Sequence, residues 1–234
     1  MKKILFIDSG LGGATIIKDF CLKYSGYSIV YLVLNSLAPL GEKSKEQMQD
    51  VCLKLIEKIA LKEDIALVVL ACNTLTSACA KHLREVLPYE VVGVEPNVKV
   101  RQGKTLVLAT TYTIKNCLIL KDKPFIKVSL PALSCLIDKK YPNVKSLKGY
   151  LRRKLKKYKD VENIIFGCTH YYLVKEQLQN LFPAAKFYNS AEGVSKRIEY
   201  FAKQFREQEQ LCSVEIILTK KDRKLMSNII NYLK

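Results

Sequence analysis

Two cysteines, Cys72 and Cys168, stand where a thiol could act on a bound substrate. Cys72 follows the apolar run 65–71 and Cys168 follows the run 163–167, and an amphipathic segment comes after each cysteine. In α/β proteins, ligands bind at this edge of the sheet, where a buried strand gives way to a helix. Backbone amides at a helix start favour an anion and lower the pKa of a thiol placed there. We therefore expect both thiols to be acid/base groups.

The chain contains this pattern twice, in segments 67–88 and 163–183. In each, an apolar strand leads to a small residue, a cysteine, a polar pair and a helix that ends before a proline. The cysteine precedes the proline by 16 residues in the first segment and by 15 in the second, and the two cysteines are 96 residues apart. A single cysteine is more often a small buried hydrophobic residue, and a redox pair is a further alternative. The repetition favours two quasi-equivalent units that present their thiols to a shared cleft.

Two thiols on opposite sides of one carbon atom suit the inversion of a stereocentre. A proton must leave one face of the carbon while another arrives on the opposite face, and a thiolate and a thiol can do both, exchanging roles in the reverse reaction. This chemistry predicts a racemase that needs neither a cofactor nor a metal ion. The sequence has only two histidines and no Cys-x-x-Cys pair, which argues against a structural zinc site.

Further polar residues lie at the same predicted strand ends. Four of them flank the cysteines in sequence: Asn73, Thr74, Thr169 and His170. They offer donors and acceptors suited to the carboxylates and ammonium group of an amino acid, and the histidine could also tune its thiol. Asp8 ends the first predicted strand, before the glycine-rich turn 9–13. That turn lacks the spacing of dinucleotide and P-loop motifs, so it indicates only a tight turn with close backbone approach to a ligand.

The elements that must position these residues alternate along the chain. Continuous Val, Ile and Leu runs predict parallel strands covered on both faces, at 4–7, 28–34, 65–71, 90–94, 105–110, 126–130 and 163–167. Amphipathic segments predict helices at 12–24, 42–62, 76–87, 145–158, 172–181 and 191–208. The alternation predicts an α/β fold of two pseudo-symmetric domains, each a mainly parallel sheet flanked by helices, with the active site in the cleft between them.

The expected domain limits follow from the two Cys-containing segments. We predict a first domain of 1–96 plus 201–234, which carries Cys72, and a second domain of 97–200, which carries Cys168. The C-terminal strand and helix are expected to complete the first domain.

Composition narrows the class of protein. A chain of 234 residues with 26% charged and 49% hydrophobic residues has an ordinary globular balance. The apolar run 4–7 is too short for a signal peptide, and no run approaches the ~20 apolar residues of a membrane span. Without an export signal, the eight cysteines are expected to be reduced thiols. We therefore expect a cytoplasmic protein.

The net charge of +17 is concentrated in segment 139–160, which holds ten Lys or Arg residues against one Asp. A large positive charge attracts anionic partners, whether small carboxylates or nucleic acid. A solvated basic helix face is the favoured interpretation of the segment. Nucleic-acid binding is the alternative, although no recognised binding motif accompanies the charge.

Six motifs make the chain resemble the aspartate/glutamate racemase family, and most closely its glutamate-specific members. In sequence order they are FIDSGLGG, APLGEKS, ACNTLT, GVEP, LATTYTI and GCTHYYLV. They span nearly the whole chain, and the ACNT and GCTH pair is highly specific. The resemblance implies interconversion of L- and D-glutamate without pyridoxal phosphate or metal, and a supply of D-glutamate for peptidoglycan and hence for the cell wall and cell shape.

The resemblance also implies roles for individual residues. Cys72 and Cys168 would be the two acid/bases, with Asp8 as the auxiliary group of one thiol and His170 as that of the other. Asp138 would take the place of a family glutamate that pairs with the histidine, one methylene shorter. Besides Asp8 and His170, the residues expected to hold the substrate are Ser9, Leu40, Gly41, Asn73, Thr74, Thr113 and Thr169.

Three departures from the family pattern leave other functions open. Leu40 stands where the family usually has tyrosine, the stretch 33–35 replaces a Gly-Asp-Thr-like sequence, and the chain is short between Asp138 and the GCTH turn. The alternatives are an aspartate racemase, another racemase or isomerase of the superfamily, or a catalytically weak paralogue whose basic surface binds nucleic acid. Dimers are common in the family, so a homodimer is a further expectation.

Overall fold

Apolar strands build two separate parallel sheets in the computed structural model, which describes residues 2–100, 102–207 and 211–234. The strands are β1 (Lys3–Asp8), β2 (Ser28–Val33), β3 (Ile65–Leu70), β4 (Glu90–Gly93), β5 (Thr105–Ala109), β6 (Ile126–Ser129), β7 (Asn163–Gly167), β8 (Lys186–Tyr188) and β9 (Ser213–Leu218). The first sheet has the order β4-β3-β1-β2-β9 and the second the order β6-β5-β7-β8, and neighbouring strands pair in parallel throughout.

Helices cover both faces of each sheet. They are α1 (Gly12–Lys23), α2 (Lys45–Ala60), α3 (Asn73–Val86), α4 (Thr111–Asn116), α5 (Leu133–Lys140), α6 (Lys148–Leu155), α7 (Lys175–Leu181), α8 (Ala191–Ala202) and α9 (Arg223–Leu233). Successive residues of β1 point to opposite faces: Ile4 and Phe6 pack with α1 and α8, while Leu5 and Ile7 pack with α2 and α3. Two-sided burial explains why the strands are continuous apolar runs.

The two sheets repeat one topology. In the first, β1 is flanked by β2 on one side and by β3 and then β4 on the other; in the second, β5 is flanked by β6 on one side and by β7 and then β8 on the other. Strand β9 is an addition to the first sheet, next to β2. The predicted α/β class with two pseudo-symmetric halves is thereby confirmed, and β3 and β7, which precede the two cysteines, occupy equivalent positions.

Several helix boundaries differ from the sequence predictions. Helix α3 begins at Asn73, three residues before the predicted start, and the segments predicted as helices at 145–158 and 172–181 each begin with a 3-10 turn, Val144–Leu147 and Thr169–Val174. Helix α8 ends at Ala202, and residue 208, the predicted end, lies outside the described residues. Helices α4 and α5, of six and eight residues, were not predicted.

The domain limits expected from the sequence stay a prediction, and the packing of α8 leads us to refine it. Ala191, Val194 and Ile198 of this helix lie in the same apolar core as α1 and β1. We propose that the chain returns to the first domain near residue 190, before α8.

No described helix has the length and apolar character needed to cross a membrane.

Candidate active site

The two cysteines lie at equivalent strand ends of the two sheets. Cys72 follows β3 and is the residue directly before α3, and Cys168 follows β7 and precedes the 3-10 turn Thr169–Val174. Both side chains are buried, each with 7% of its surface exposed. They are close enough for a charge on Cys168 to raise the pKa of Cys72. One thiol from each half therefore faces the same site.

Burial, rather than the start of α3, has the largest effect on the pKa of Cys72. Loss of solvent raises the pKa of this thiol well above its ordinary value, and the nearby Asp8 carboxylate raises it further. A hydrogen bond from the Leu75 amide acts in the opposite direction but is outweighed. The expectation that the helix start lowers this pKa is wrong for Cys72, because the sequence signal for a helix start carries no information about burial.

Asp8, at the end of β1, is completely buried beside Cys72. Its Oδ2 accepts a hydrogen bond of 2.6 Å from the Gly13 amide, whereas Oδ1 meets no described donor at regular hydrogen-bond geometry. Burial raises the pKa of the carboxyl group; the charge of His170, the Ser9 and Gly13 amides and the Cys72 thiol offset this only in part. A carboxyl group with a raised pKa beside a thiol can exchange a proton with it.

His170 links Cys168 to Asp138. Its Nδ1 lies 4.0 Å from the sulfur of Cys168, and its Nε2 lies 3.2 Å from Oδ1 of Asp138. Burial alone would lower the pKa of the imidazole, but the charge and hydrogen bond of Asp138, together with Cys168 and Asp8, raise it well above its ordinary value. The carboxylate favours a proton on Nε2 and leaves Nδ1 to face the thiol. The structure therefore places Asp138 where the family resemblance expects it.

The glycine-rich turn 9–13 contacts side chains of both halves. The amide of Leu11 donates to Asp138 at 3.0 Å, and that of Gly12 lies 3.2 Å from Nε2 of His170. The latter bond forms only when Nε2 carries no proton, so it competes with the bond to Asp138. A Cβ atom on Gly12 would stand 2.3 Å from Nδ1 of His170. The close approach expected at this turn is therefore made by catalytic candidates of the second half.

Tyr31 holds this turn through a hydrogen bond from β2, and the sequence analysis did not identify it as a site residue. It is fully buried on β2, and its hydroxyl donates to the carbonyl of Gly10 at 2.5 Å. A Cβ atom on Gly13 would stand 2.6 Å from the same hydroxyl. The available signal was one polar-tipped aromatic residue within the aliphatic run 28–34, because a buried tyrosine hydroxyl requires a partner.

Three threonine hydroxyls join the two halves next to Cys72. Thr74, on α3, lies 2.9 Å from Thr110, which in turn donates to Thr113 at 3.0 Å. Thr74 and Thr113 were predicted site residues, whereas Thr110 was not. The missed signal is that Thr110 caps α4 by accepting a hydrogen bond from the Thr113 amide, and threonine is a common residue at that position.

Two further predicted residues, Asn73 and Thr169, line the cleft but differ in their hydrogen bonding. They line it together with Cys168, between α1 and the turn that follows β7. The Thr169 hydroxyl is buried and has no described partner, while Asn73 donates to the carbonyl of Val94 at 2.9 Å. An unpaired buried hydroxyl in the cleft is available to a ligand.

The other three residues predicted to hold substrate are Ser9, Leu40 and Gly41. Ser9 is half-buried, Leu40 is buried in the same apolar cluster as Cys72, and Gly41 is exposed, with nothing within 4 Å of where its Cβ atom would lie. Their contact with a substrate stays a prediction. Among the described residues, no three His, Cys, Asp or Glu side chains are grouped as ligands for a metal ion.

Two α/β sheets, each with a buried thiol at the equivalent strand end, fit an enzyme of the racemase class. The chain is 31% identical over 208 residues to a glutamate racemase of Clostridium acetobutylicum, covering 82% of this chain and 81% of that relative. It is 34% identical over 215 residues to a glutamate racemase of Leptospira borgpetersenii, covering 84% and 80%. The chain belongs to the glutamate racemase family. No model in a scan of protein families matches it.

Solved structures share the fold. A glutamate racemase isoform from Bacillus anthracis superimposes with a TM-score of 0.86 at 22% identity, covering 99% of this chain and 94% of that one. The Escherichia coli glutamate racemase, solved with L-glutamate and the activator UDP-MurNAc-Ala, gives a TM-score of 0.82 at 22% identity, covering 99% and 96%. The two-sheet arrangement is thus the family fold over essentially the whole chain.

Proposed function

We propose that the protein interconverts L- and D-glutamate, with Cys72 serving one face of the α-carbon and Cys168 the other. The observation that carries this proposal is the pair of buried thiols at equivalent strand ends, each with an auxiliary group of its own, Asp8 for Cys72 and His170 for Cys168. Glutamate as the substrate is supported by the relatives, which are named glutamate racemases, and by the L-glutamate in the E. coli structure. The D-isomer would supply peptidoglycan synthesis.

The surroundings of the thiols suggest which one starts as the base. Burial and Asp8 keep Cys72 protonated, so it is prepared to donate. The sulfur of Cys168 instead faces the Nδ1 of His170 at 4.0 Å, and an imidazole nitrogen can act as a proton acceptor. In this direction Cys168 removes the α-proton and Cys72 delivers a proton to the opposite face.

Each turnover leaves the two thiols in exchanged states. Cys72 ends as a thiolate beside Asp8, whose raised pKa leaves more of this carboxyl group protonated than usual, so that it can return a proton to the sulfur and be reprotonated from solvent. Cys168 ends as a thiol, and in the neutral tautomer of His170, with its proton on Nε2, the Nδ1 takes up the thiol proton and passes it to solvent. Asp8 and His170 therefore reset the pair for the next turnover, and the reverse reaction uses the same groups with roles exchanged.

The carbanion formed between the two steps places extra charge on the substrate carboxylate. Donors aimed at that charge stabilise the transition state, and such preorganised donors supply much of the rate enhancement of enzymes. Thr169 offers an unpaired hydroxyl in the cleft, and Asn73 adds an amide beside it. We propose that these two residues bind the substrate carboxylate.

A chiral assay of the purified protein, with no cofactor added, tests the proposed function. We expect D-glutamate to form from L-glutamate, and D-aspartate to form from L-aspartate more slowly. Cys72→Ser and Cys168→Ser should each lower the rate by about 10²–10⁴-fold, the usual contribution of one acid/base group. Formation of D-aspartate alone would make the substrate assignment wrong, and no turnover by a folded protein with either amino acid would make the function wrong.

Alkylation provides a second test of the two-thiol site. Iodoacetamide should inactivate the enzyme, and L-glutamate should protect it. The assay should use a Cys212→Ser background, because Cys212 lies outside the site and its pKa is lowered to about 7, so it competes for the reagent. Full modification of Cys72 and Cys168 with turnover intact would contradict the mechanism.

A second function, binding of nucleic acid, is favoured by one surface feature. All ten Lys and Arg residues of segment 139–160 are exposed, and none forms an ion pair with a described acidic residue. Helix α9 extends this surface, because Lys224 donates from its Nζ to the carbonyl of Lys139 at 2.8 Å. Exposed cations beside Lys224 continue it at Lys220, Lys221 and Arg223.

The salt dependence of duplex DNA binding tests the basic surface independently of catalysis. If the surface is used, affinity should fall steeply with salt, with a slope of about −0.9 for each phosphate contacted, and Cys72→Ser should bind as the unaltered protein does. Absence of binding at low salt would leave the segment as a solvated helix face.

A further inference from the structure

Helix α9, which follows the last strand of the first sheet, packs against the end of α5, which follows β6 of the second sheet. Three residues of α9, spaced four apart on one face, make the contact. Asn228 donates from its side-chain amide to the carbonyl of Tyr141 at 3.3 Å. Lys224 donates from its Nζ to the carbonyl of Lys139 at 2.8 Å. The ring of Tyr232 meets that of Tyr141 edge-on, with 6.1 Å between the ring centroids.

These contacts stabilise a helix end that cannot complete its own hydrogen bonds. The last carbonyls of an α-helix have no partner within the helix, and a cation beside them interacts favourably with the helix dipole. Lys139 is in the last turn of α5, and Tyr141 directly follows the helix. A helix of eight residues is too short to be stable alone, so the position of α5 depends on the elements that pack against it.

The same last turn of α5 carries Asp138, next to the residue that Lys224 contacts. Oδ1 of Asp138 lies 3.2 Å from Nε2 of His170 and accepts a hydrogen bond of 3.0 Å from the Leu11 amide. A shift of α5 relative to α9 would therefore move this carboxylate relative to the imidazole.

Asn228 is a polar residue on the packed side of α9. Its helix neighbours Leu225 and Ile229 are part of the apolar core around α1, and Asn228 itself is 7% exposed. Burying an amide costs free energy unless it is hydrogen-bonded, so packing alone would favour an apolar side chain here. The amide indicates that the bond to Tyr141 is what this position requires.

Helix α9 is in turn fixed to α1. The Nζ of Lys18 donates to the carbonyl of Tyr232 at 2.7 Å and lies 5.3 Å from the centroid of its ring. Helix α1 follows the turn 9–13, whose Leu11 amide donates to Asp138. Helix α1 is therefore connected to Asp138 by two routes, directly through the turn and indirectly through α9 and α5.

We propose that Asn228 and Lys224 are positioning residues of the active site, because they hold the helix that carries Asp138. Through α5 they keep the Asp138 carboxylate within hydrogen-bond distance of the imidazole of His170. The consequence for the rate rests on the proposed function, whereas the consequence for the imidazole can be measured without turnover.

A proton NMR titration of His170 in the full-length protein tests the role of Asn228. Asn228→Ala should move the midpoint to lower pH, because a displaced Asp138 stabilises the imidazolium less. Cys168 and Asp8, the other titratable groups that act on this imidazole, are unchanged in the variant. An unchanged midpoint would overturn the proposal for this residue.

Asn231→Ala is the matched control, because Asn231 is exposed and bonds within its own helix, to the hydroxyl of Ser227. Its His170 midpoint should equal that of the unaltered protein. The double variant Asn228→Ala/Asp138→Asn then isolates the route. If Asn228 acts through Asp138, the midpoint should be that of Asp138→Asn alone, and a further shift as large as in the unaltered background would contradict the route.

Lys224→Met is a second variant, chosen because Lys224 is exposed and its loss should not prevent folding. Loss of a cation by itself would weaken repulsion of the imidazolium and raise the His170 midpoint, whereas loss of the contact with α5 should lower it. Lys221→Met, at a neighbouring exposed lysine, is the control for charge and should not lower the midpoint. A higher midpoint in Lys224→Met would overturn the role of Lys224.

The chiral assay measures the consequence for the reaction. Asn228→Ala should lower kcat about 10-fold with KM little changed, less than the ~10²-fold that a displacement of 1 Å can cause. A kcat equal to that of Asn231→Ala would overturn the effect on catalysis. If the unaltered protein racemises neither amino acid, the proposed function fails, and the titration still decides whether α9 positions Asp138.

Discussion

At the scale of single residues, the two thiols of the cleft are distinguished by their neighbours. Cys72 has a buried carboxyl group beside it, and Cys168 has an imidazole that is itself paired with a carboxylate. The thiol beside the buried acid starts protonated, so the base of the first step is assigned to the other thiol. The two thiols differ only in which of them carries a proton before the reaction, because the reverse reaction requires each thiol to take the other role.

Asp8→Asn should stabilise the protein while it slows racemisation. Burial raises the pKa of Asp8, so the folded state holds the proton more tightly than the unfolded chain and stability falls as pH rises from about 4 through the folded pKa. Asparagine removes this penalty. We expect the Tm at pH 8 to rise by about 2–4 °C, as for a gain of ~1 kcal/mol in a chain of this size, and the difference to vanish below about pH 4.

Thermal unfolding measured across pH, together with the chiral assay, checks the Asp8 prediction. Asp122→Asn is the matched control, because Asp122 is exposed, and its Tm should follow the unaltered protein at every pH. A lower Tm for Asp8→Asn at pH 8 would mean that the buried carboxylate stabilises the fold.

Asp138→Asn should lower the pKa of His170. Burial already lowers this pKa, and the charge of Asp138 and its hydrogen bond to the imidazole are the main causes that raise it. In a proton NMR titration, the His170 midpoint should move to lower pH in the variant, and Asp138→Glu should restore it. An unchanged midpoint in Asp138→Asn would show that Asp138 does not control the imidazole.

The same pair makes stability depend on pH. Because the folded pKa of His170 is raised, its contribution to stability is complete below about pH 6.5 and is lost as pH rises through the folded pKa. Asp138→Asn should therefore destabilise the protein most near pH 6 and least at high pH.

The sequence identified nearly all of these side chains but not their protonation. Cys72, Asp8 and His170 could be named because motifs mark strand ends, whereas the raised pKa of Cys72 depends on burial by distant segments. Asp138 was placed by resemblance alone, since nothing in its local sequence marks it as a partner of His170.

At the scale of elements, the turn 9–13 positions groups from both halves. Its successive amides at Leu11, Gly12 and Gly13 face Asp138, His170 and Asp8. Tyr31 fixes the carbonyl of this turn from β2. The turn is therefore the element of the first half that positions the side chains of Asp8, Asp138 and His170.

Gly12→Ala should displace His170. The new Cβ atom would stand 2.3 Å from Nδ1 of His170 and 2.6 Å from the hydroxyl of Thr169, so one of these groups must move. Displacement of a catalytic group by about 1 Å can lower the rate about 10²-fold, and we expect that loss mainly in kcat. Steady-state kinetics, with circular dichroism as a check of folding, measure it.

Gly193→Ala is the control for this substitution. It lies in α8 with nothing within 4 Å of where its Cβ atom would be, and alanine favours a helix over glycine by about 0.5–1 kcal/mol. Activity should be retained and the Tm slightly raised. Full activity in Gly12→Ala would show that the turn does not position His170.

The apolar strands could be predicted from the sequence, whereas the short helices α4 and α5 could not. The runs that became β1, β2 and β3 are apolar on both faces, which only a covered parallel strand requires. The sequence predicted part of the 3-10 turn after Cys168 as α-helix, because the side chains of a 3-10 turn repeat with nearly the same period as those of α7.

At the scale of the whole molecule, both halves have the same strand order. The candidate site lies at the carboxyl ends of the equivalent strands β3 and β7. The halves then diverge: β9, α8 and α9 are added to the first, and the histidine follows the cysteine only in the second. The Thr74–Thr110 contact joins the two next to Cys72. In the proposed mechanism, this arrangement brings the two thiols to opposite faces of one carbon atom, as inversion requires.

The most direct test of this account follows deuterium at the α-carbon of glutamate in D₂O. With L-glutamate and no cofactor, a two-thiol mechanism predicts that at early times every D-glutamate molecule carries α-deuterium while the remaining L-glutamate carries none. The thiol that delivers the new proton has exchanged with solvent and is not the thiol that removed the old one. D-glutamate that retains its α-protium, or deuterium entering L-glutamate as fast as D-glutamate forms, would contradict two thiols acting on opposite faces.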